Sequence, residues 1–212
     1  MAKSRCLPTY FLAISMLSVL TPNYISTHTE LETNRVLGLS SRNVVFELLV
    51  DEAMIDFSRS APPGLQPIGG AHIAYALQVK NAAFILATFA LRHPKPSCVG
   101  ELQVPAFYQQ HHWDRTGYTA GVSCLSRHVP MEFQCGFAVH NQDSLEVVFG
   151  RMLPMVRTII LFQGQRRIVV RIRDNSFVMT GSCSGIRLVQ ALDGHGHVVY
   201  QKRLKEGMPQ NR

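Results

Sequence analysis

The residues with the clearest chemical potential sit in the segment GQRRIVVRIRD, Gly164–Asp174. In an extended strand alternate side chains point to opposite faces, so Arg167, Val169, Arg171 and Arg173 share one face, and Arg166, Ile168, Val170 and Ile172 share the other. The second set reads as core. The first is a ladder of guanidinium groups, with same-face positions about 7 Å apart. A guanidinium forks two hydrogen bonds to one phosphate, sulfate or carboxylate, so this spacing suits a repeating anion. Arg166, at the start of the strand, joins Arg167, Arg171 and Arg173 as a candidate binding residue, with Arg187, Lys202 and Arg203 as candidate neighbours on the same surface. The structural alternative is a solvated outer face, or a strand neutralised by the acidic segment near residues 43–58.

A second cluster is rich in histidine and cysteine. Cys124, His128, Cys135 and His140 have the N and S donors of a tetrahedral zinc site, but the first pair lacks the tight two-residue knuckle spacing. Disulfide use of the same cysteines is the competing reading. His111, His112 and His128, with Glu101 or Glu132, are the best candidates for acid–base chemistry, as in an RNase-like hydrolase. Trp113 and Tyr108 stand beside amide and carboxylate groups, a composition common in sugar or protein contacts and equally common in cores. Other chemistries lack their residues. There is no Gly-x-Ser-x-Gly, the GGAH at 69–72 is no phosphate loop, and no dinucleotide fingerprint occurs, so no cofactor is expected.

The charge distribution gives the arginine segment its context. Residues 27–60 hold six acids and three arginines, whereas residues 151–212 hold eleven Lys/Arg against three acids. The chain's net charge of +7 is therefore concentrated in its last third. Such asymmetry points to an anionic partner: a glycan, a membrane surface or an acidic protein, or nucleic acid if the chain is intracellular.

Compartment is read from the N-terminus and the cysteines. Lys3 and Arg5 precede an apolar run, Cys6–Leu20, of signal-peptide length and too short to span a bilayer comfortably. Ser26 is small enough to precede a cleavage site, although Tyr24 is bulky for its position. Removal of residues 1–26 would leave four cysteines, Cys98, Cys124, Cys135 and Cys183, the even number two disulfides need. The expected pairing is Cys124–Cys135 and Cys98–Cys183. The expected setting is secreted, lumenal or periplasmic.

The elements that must position these residues follow from periodicity. NVVFELLVDEAMIDFS, 43–58, reads as an amphipathic helix with Val44, Val45, Leu48, Leu49, Ile55 and Phe57 on its apolar side. The Pro/Gly-rich 60–70 reads as a linker. Residues 71–92 read as a second, buried helix because NAAFILATFAL is apolar nearly all round. Residues 101–150 read as short irregular β pieces, with 144–163 open to a helical reading that Gly150 and Pro154 oppose. Beyond Arg157 two hairpins emerge, one turning at Gln163-Gly164-Gln165 and one at Asp193-Gly194, with a short strand at 176–183 between them. The expected fold is a single α+β domain over 27–212, with two helices packed on a basic C-terminal antiparallel meander (157–205) and stabilised by disulfides. The expected function is non-enzymatic binding of an anionic partner through that sheet.

Overall fold

The computed structural model describes residues 44–92 and 98–204. One helix, α1 (Val44–Ser60), is followed by a single 3-10 turn at Pro63–Leu65. All the remaining elements are strands: β1 (Pro67–Val79), β2 (Ala82–Leu91), β3 (Cys98–Gln109), β4 (His112–Arg115), β5 (Thr119–Cys124), β6 (Met131–His140), β7 (Asp143–Met152), β8 (Thr158–Gln163), β9 (Arg166–Val170), β10 (Ser176–Thr180), β11 (Ile186–Leu192) and β12 (Val198–Arg203). They form three antiparallel sheets. The first runs β1-β2-β3-β4, with β5 sharing the outer edge of β3; the middle is β10-β7-β6; the last is β12-β11-β8-β9.

The layers stack in that order. Phe46, Leu49, Val50, Ala53, Met54 and Phe57 of α1 pack on Ala83, Ile85, Ala87, Leu102, Val104 and Ala106 of the first sheet. The opposite face of that sheet, with Phe84, Leu86 and Phe107, meets Leu145, Val147 and Phe149 of β7. The far face of the middle sheet, with Met131, Val148, Met152 and Phe177, meets Ile159, Leu161, Val189 and Ala191 of the last sheet. Strands β2 and β7 are thus covered on both sides. That double burial explains why they carry near-continuous apolar runs rather than alternating ones.

It also overturns the expected fold class. The second helix expected over 71–92 is the β1–β2 hairpin, turning at Lys80-Asn81 with Lys80 at φ 52°. A strand buried on both faces and a buried helix have the same all-round hydrophobicity, and periodicity alone does not separate them. The same ambiguity produced the helical alternative at 144–163, which is β7 followed by β8. Residues 101–150 are long, regular strands, and the expected linker gives way to β1 from Pro67. Helix α1 forms where the sequence places it, but its buried stripe is rotated: Val44, Val45, Leu48 and Ile55 are exposed, and Phe46, Val50 and Ala53 are in the core. Both expected hairpins form. The meander does not, because β10 leaves the last sheet to pair with β7.

The disulfides are Cys98–Cys124 and Cys135–Cys183, not the expected pairs. Cys98 and Cys124 are direct partners across β3 and β5, and Cys135 of β6 reaches the connection between β10 and β11. Two disulfides suit an oxidising, extracellular-type environment. The proposed signal segment, 1–26, lies outside the described residues. Among the described residues no helix is long and apolar enough to cross a membrane.

Strand pairing inside the middle sheet leaves Gly150 with no space for a side chain. A Cβ on Gly150 of β7 would sit 2.2 Å from the Glu132 carbonyl oxygen and 2.8 Å from the Phe177 ring. Gly150→Ala should therefore destabilise the fold by about 1–3 kcal/mol through overpacking, read as a lower urea midpoint at unchanged slope. Gly64→Ala, where nothing lies within 4 Å, should leave the midpoint in place.

Candidate functional site

The outer face of the last sheet is built from the residues that do not enter the core. Ile168 and Val170 of β9, Ile159 and Leu161 of β8, and Val189 and Ala191 of β11 point inward. Their neighbours point out. The strand registers Phe162↔Arg167, Leu188↔Phe162 and Leu188↔Arg203 then set Arg167, Phe162, Leu188 and Arg203 side by side in one rung across four strands. Three inter-strand spacings put the two arginine backbones about 14 Å apart. The next outward rung reads Val169, Ile160, Gln190 and Gln201, with the Gln190 side-chain amide donating to Gln201 Oε1 at 2.9 Å. Phe162 and Leu188 are half-buried, whereas Arg167 and Arg203 are exposed. Among the described residues no carboxylate pairs with Arg166, Arg167 or Arg203.

The ladder of arginines expected along one strand is shorter than its sequence. Strand β9 ends at Val170. Arg171 and Arg173 lie beyond it, where a turn at Asp174-Asn175 brings Arg173 opposite Ser176 and its Nε within 3.7 Å of the Asp174 carboxylate. Both are close enough to Tyr75 of β1 to draw its phenol down, against the larger effect of burial, which leaves its pKa raised. Arg166 opens β9 beside the Gly164-Gln165 turn. Arg203 joins Arg167 on the outer face, but Lys202 points the other way, its Nζ 5.5 Å from the centre of the Phe133 ring. Partnership across the sheet brought Arg203 to Arg167, and the sequence gives no register from which to read it.

The acidic helix does not neutralise this face. Helix α1 packs on the far side of the first sheet, where Arg115 of β4 binds Asp56 and approaches Glu52 at 3.5 Å. Residues 157–204 carry eight Lys/Arg against two acids, and they belong mostly to the sheet at the other end of the stack. Positive and negative surface are therefore held in different layers.

The histidines and cysteines do not assemble as a single centre. His111 is a turn residue at φ 71° in the two-residue β3–β4 connection. His112 follows it, with Nε2 2.9 Å from Asp114 Oδ2. His128 follows β5, whose Cys124 pairs with the first residue of β3, whereas His112 pairs with the last. The length of β3 separates them, roughly 35 Å, so these imidazoles cannot act on one phosphodiester. His140 stacks on the Phe107 ring at 5.6 Å, and both sulfurs of the zinc alternative, on Cys124 and Cys135, are in disulfides. Trp113 is half-buried against Phe46 of α1 at 5.4 Å, with Tyr108 at 5.5 Å. With His112, Asp114 and Glu52, Trp113 lines a shallow open depression of ≈ 640 Å³.

One charged group is buried at the interface of the first and middle sheets. Glu101 of β3 is 3% exposed, its Oε1 3.8 Å from Arg151 Nε of β7. Glu132 of β6 is the strand partner of Arg151, and the Gln103 amide donates to Gln134 Oε1 at 3.3 Å nearby. Ser123 Oγ is buried close enough to Glu101 to favour its carboxylate slightly, and Arg151 Nη1 is buried with no hydrogen-bond partner among the described residues. Desolvation pushes Glu101 from 4.5 to about 7, partly countered by Arg151 and reinforced by Glu132. Sequence reasoning named Glu101 only as a companion of the histidines; its burial follows from β3 being covered on both faces. Comparison with known proteins finds no matching family model, curated protein or solved structure.

The Glu101 shift has a stability consequence with a definite sign. Its folded-state pKa is raised, so the folded chain holds a proton that the unfolded chain has lost between pH 4.5 and about 7. The resulting stabilisation, about 3 kcal/mol, is fully present at the acid end of that window and disappears as pH rises through its upper end. Urea midpoints should fall across this window in the wild type, and Glu101→Gln should flatten the fall. Superimposable pH profiles for the two proteins would show that this carboxyl does not titrate there.

Proposed function

We propose that this chain is a non-enzymatic binding protein that engages an extended anionic partner across the outer face of its last sheet. The observation that carries this reading is the rung Arg167, Phe162, Leu188, Arg203: two exposed guanidinium groups bracket a half-buried aromatic and a half-buried aliphatic side chain, beside a rung whose Ile160 is buried. Each guanidinium offers a fork of donors to one anionic group. The apolar centre offers contact to the carbon framework between two such groups. An acidic glycan, with charged groups spaced along a chain of rings, fits both requirements better than a point anion does. Arg171 and Arg173, further along the same chain segment, extend the positive field beyond the rung. The basic start and apolar run of residues 1–20, together with the two disulfides, support an exported protein meeting such a partner outside the cytosol.

The test is titration of a sulfated oligosaccharide at several salt concentrations, beside anionic vesicles and a polyglutamate peptide. Arg167→Ala and Arg203→Ala should each weaken oligosaccharide binding about tenfold, the loss of roughly 1.5 kcal/mol expected for a hydrogen bond to a charged group. The slope of log affinity against log salt should fall by about one per arginine removed, as for other polyanions. Arg171→Ala and Arg173→Ala should have smaller effects, and Arg59→Ala, on the helix, none. Equal affinity in the Arg167/Arg203 double variant would overturn the proposal. Tighter binding to vesicles or to the acidic peptide would redirect it to those partners.

A further inference from the structure

We propose that β6 is a self-association edge that pairs antiparallel with β6 of a second copy of this chain. Strand edges expose unpaired N–H and C=O groups, and proteins ordinarily guard them with charge, bulges, proline or brevity. The other free edges here are guarded in these ways. Arginines occupy the five-residue β9, Lys202 and Arg203 occupy β12, two register shifts interrupt β1, and β4, β5 and β10 are only four, six and five residues long.

Strand β6 has none of these guards. It runs ten residues, MEFQCGFAVH, in unbroken register with β7, contains no Lys, Arg or Pro, and forms an end of the middle sheet. Among the described residues nothing pairs with its outer edge. Phe137 and Val139, on one face of this strand, are 66% and 53% exposed. An edge carrying two exposed large apolar side chains is built for another strand rather than for water.

The sequence of β6 selects a copy of itself as that strand. Only two residues of β6 carry ionisable charge, Glu132 near its start and His140 at its end. A two-fold axis through Gly136 sets Glu132 opposite His140 of the second copy, and this pairing occurs twice. The same register places Phe133 opposite Val139, Cys135 opposite Phe137, and Gly136 opposite Gly136. The apolar face then continues across the junction, and no like charges meet. Moving the axis by one residue, to Phe137, places Gln134 opposite His140 and leaves Glu132 facing the turn. Among symmetric registers only the one centred on Gly136 pairs the two ionisable residues of the strand with each other, in the isologous arrangement a two-fold contact requires. This inference stands apart from the anion-binding proposal, since none of its residues belongs to the Arg167–Arg203 rung.

Sedimentation velocity on the full disulfide-bonded chain should show a concentration-dependent dimer. Phe137→Lys, at an exposed position, should give a monomer whose thermal unfolding matches that of the wild type at concentrations where the wild type is also monomeric. Glu132→Lys should weaken the dimer and Glu132→Lys/His140→Glu should restore it, because the swap recreates both pairs with reversed sign. Hydrogen exchange should show the outward amides of β6 protected at high protein concentration and exposed at low. A wild-type protein that is monomeric throughout the micromolar range would overturn the proposal. So would a dimer that survives Phe137→Lys, which would assign association to another surface.

Discussion

Everything in this molecule depends on a middle sheet whose central strand, β7, is covered on both faces by the sheets beside it. Three stacked sheets require β2 and β7 to be apolar on both sides, and they require the backbones to come close enough for those side chains to interlock. Gly136, met by Phe84 of the neighbouring sheet, is where this constraint becomes visible, and two further glycines show the same crowding within a sheet. Gly150 lies against the Glu132 carbonyl, Gly136 lies under Val147, Phe84 and Phe149, and the Phe89 ring covers Gly100 in the adjacent strand. These positions are small because a neighbour occupies the volume, at ordinary backbone angles.

Charge is arranged around that apolar stack. Acidic side chains gather on α1 at one end and are partly answered by Arg115. Arginines gather on the last sheet, where the described acids do not answer Arg167 and Arg203. Between these extremes Glu101 and Arg151 bridge two sheets in an environment with little water. A buried polar contact of this kind adds little net stability of its own, and below about pH 7 the carboxyl keeps its proton, so the contact is then one of a neutral acid with a guanidinium.

Legibility in the sequence followed the number of faces each element buries. Helix α1 was readable because one side is wet and its 3.6-residue pattern survives, although the exact stripe was misplaced by the valines and leucine that it leaves exposed. The β8–β9 and β11–β12 hairpins were readable because an alternating pattern survives where one face is open. Strands β2 and β7 were not, since nothing polar interrupts them. Turn chemistry hid the remaining hairpins: Lys80-Asn81, Gln110-His111 and Asn141-Gln142 reverse the chain in two residues with non-glycine residues at positive φ. The obvious signal, Asp193-Gly194, instead opens a five-residue loop in which the Asp193 carboxylate accepts from the His195 and His197 amides. At the candidate site, β9 and its alternation were legible. The coupling of Arg167 to Arg203 was not, because it depends on β11 pairing with β8 across an intervening strand of another sheet. The cysteine pairing was not legible either, because Cys98–Cys124 depends on β5 joining the edge of β3 and Cys135–Cys183 on β10 joining β7.

That intervening strand has a consequence for how the chain can be divided. Helix α1 and the first sheet come from one continuous stretch, 44–124, but the other two layers are interleaved: β8 and β9 are made before the middle sheet receives β10, and β11 and β12 follow it. No single cut separates the middle sheet from the last one, and Cys135–Cys183 closes the interleaved segment covalently. Only near residues 125–130 does the chain leave one layer without returning to it, and beyond that point the arginine rung needs β8, β9, β11 and β12 together, two hairpins separated in sequence by a strand of another sheet.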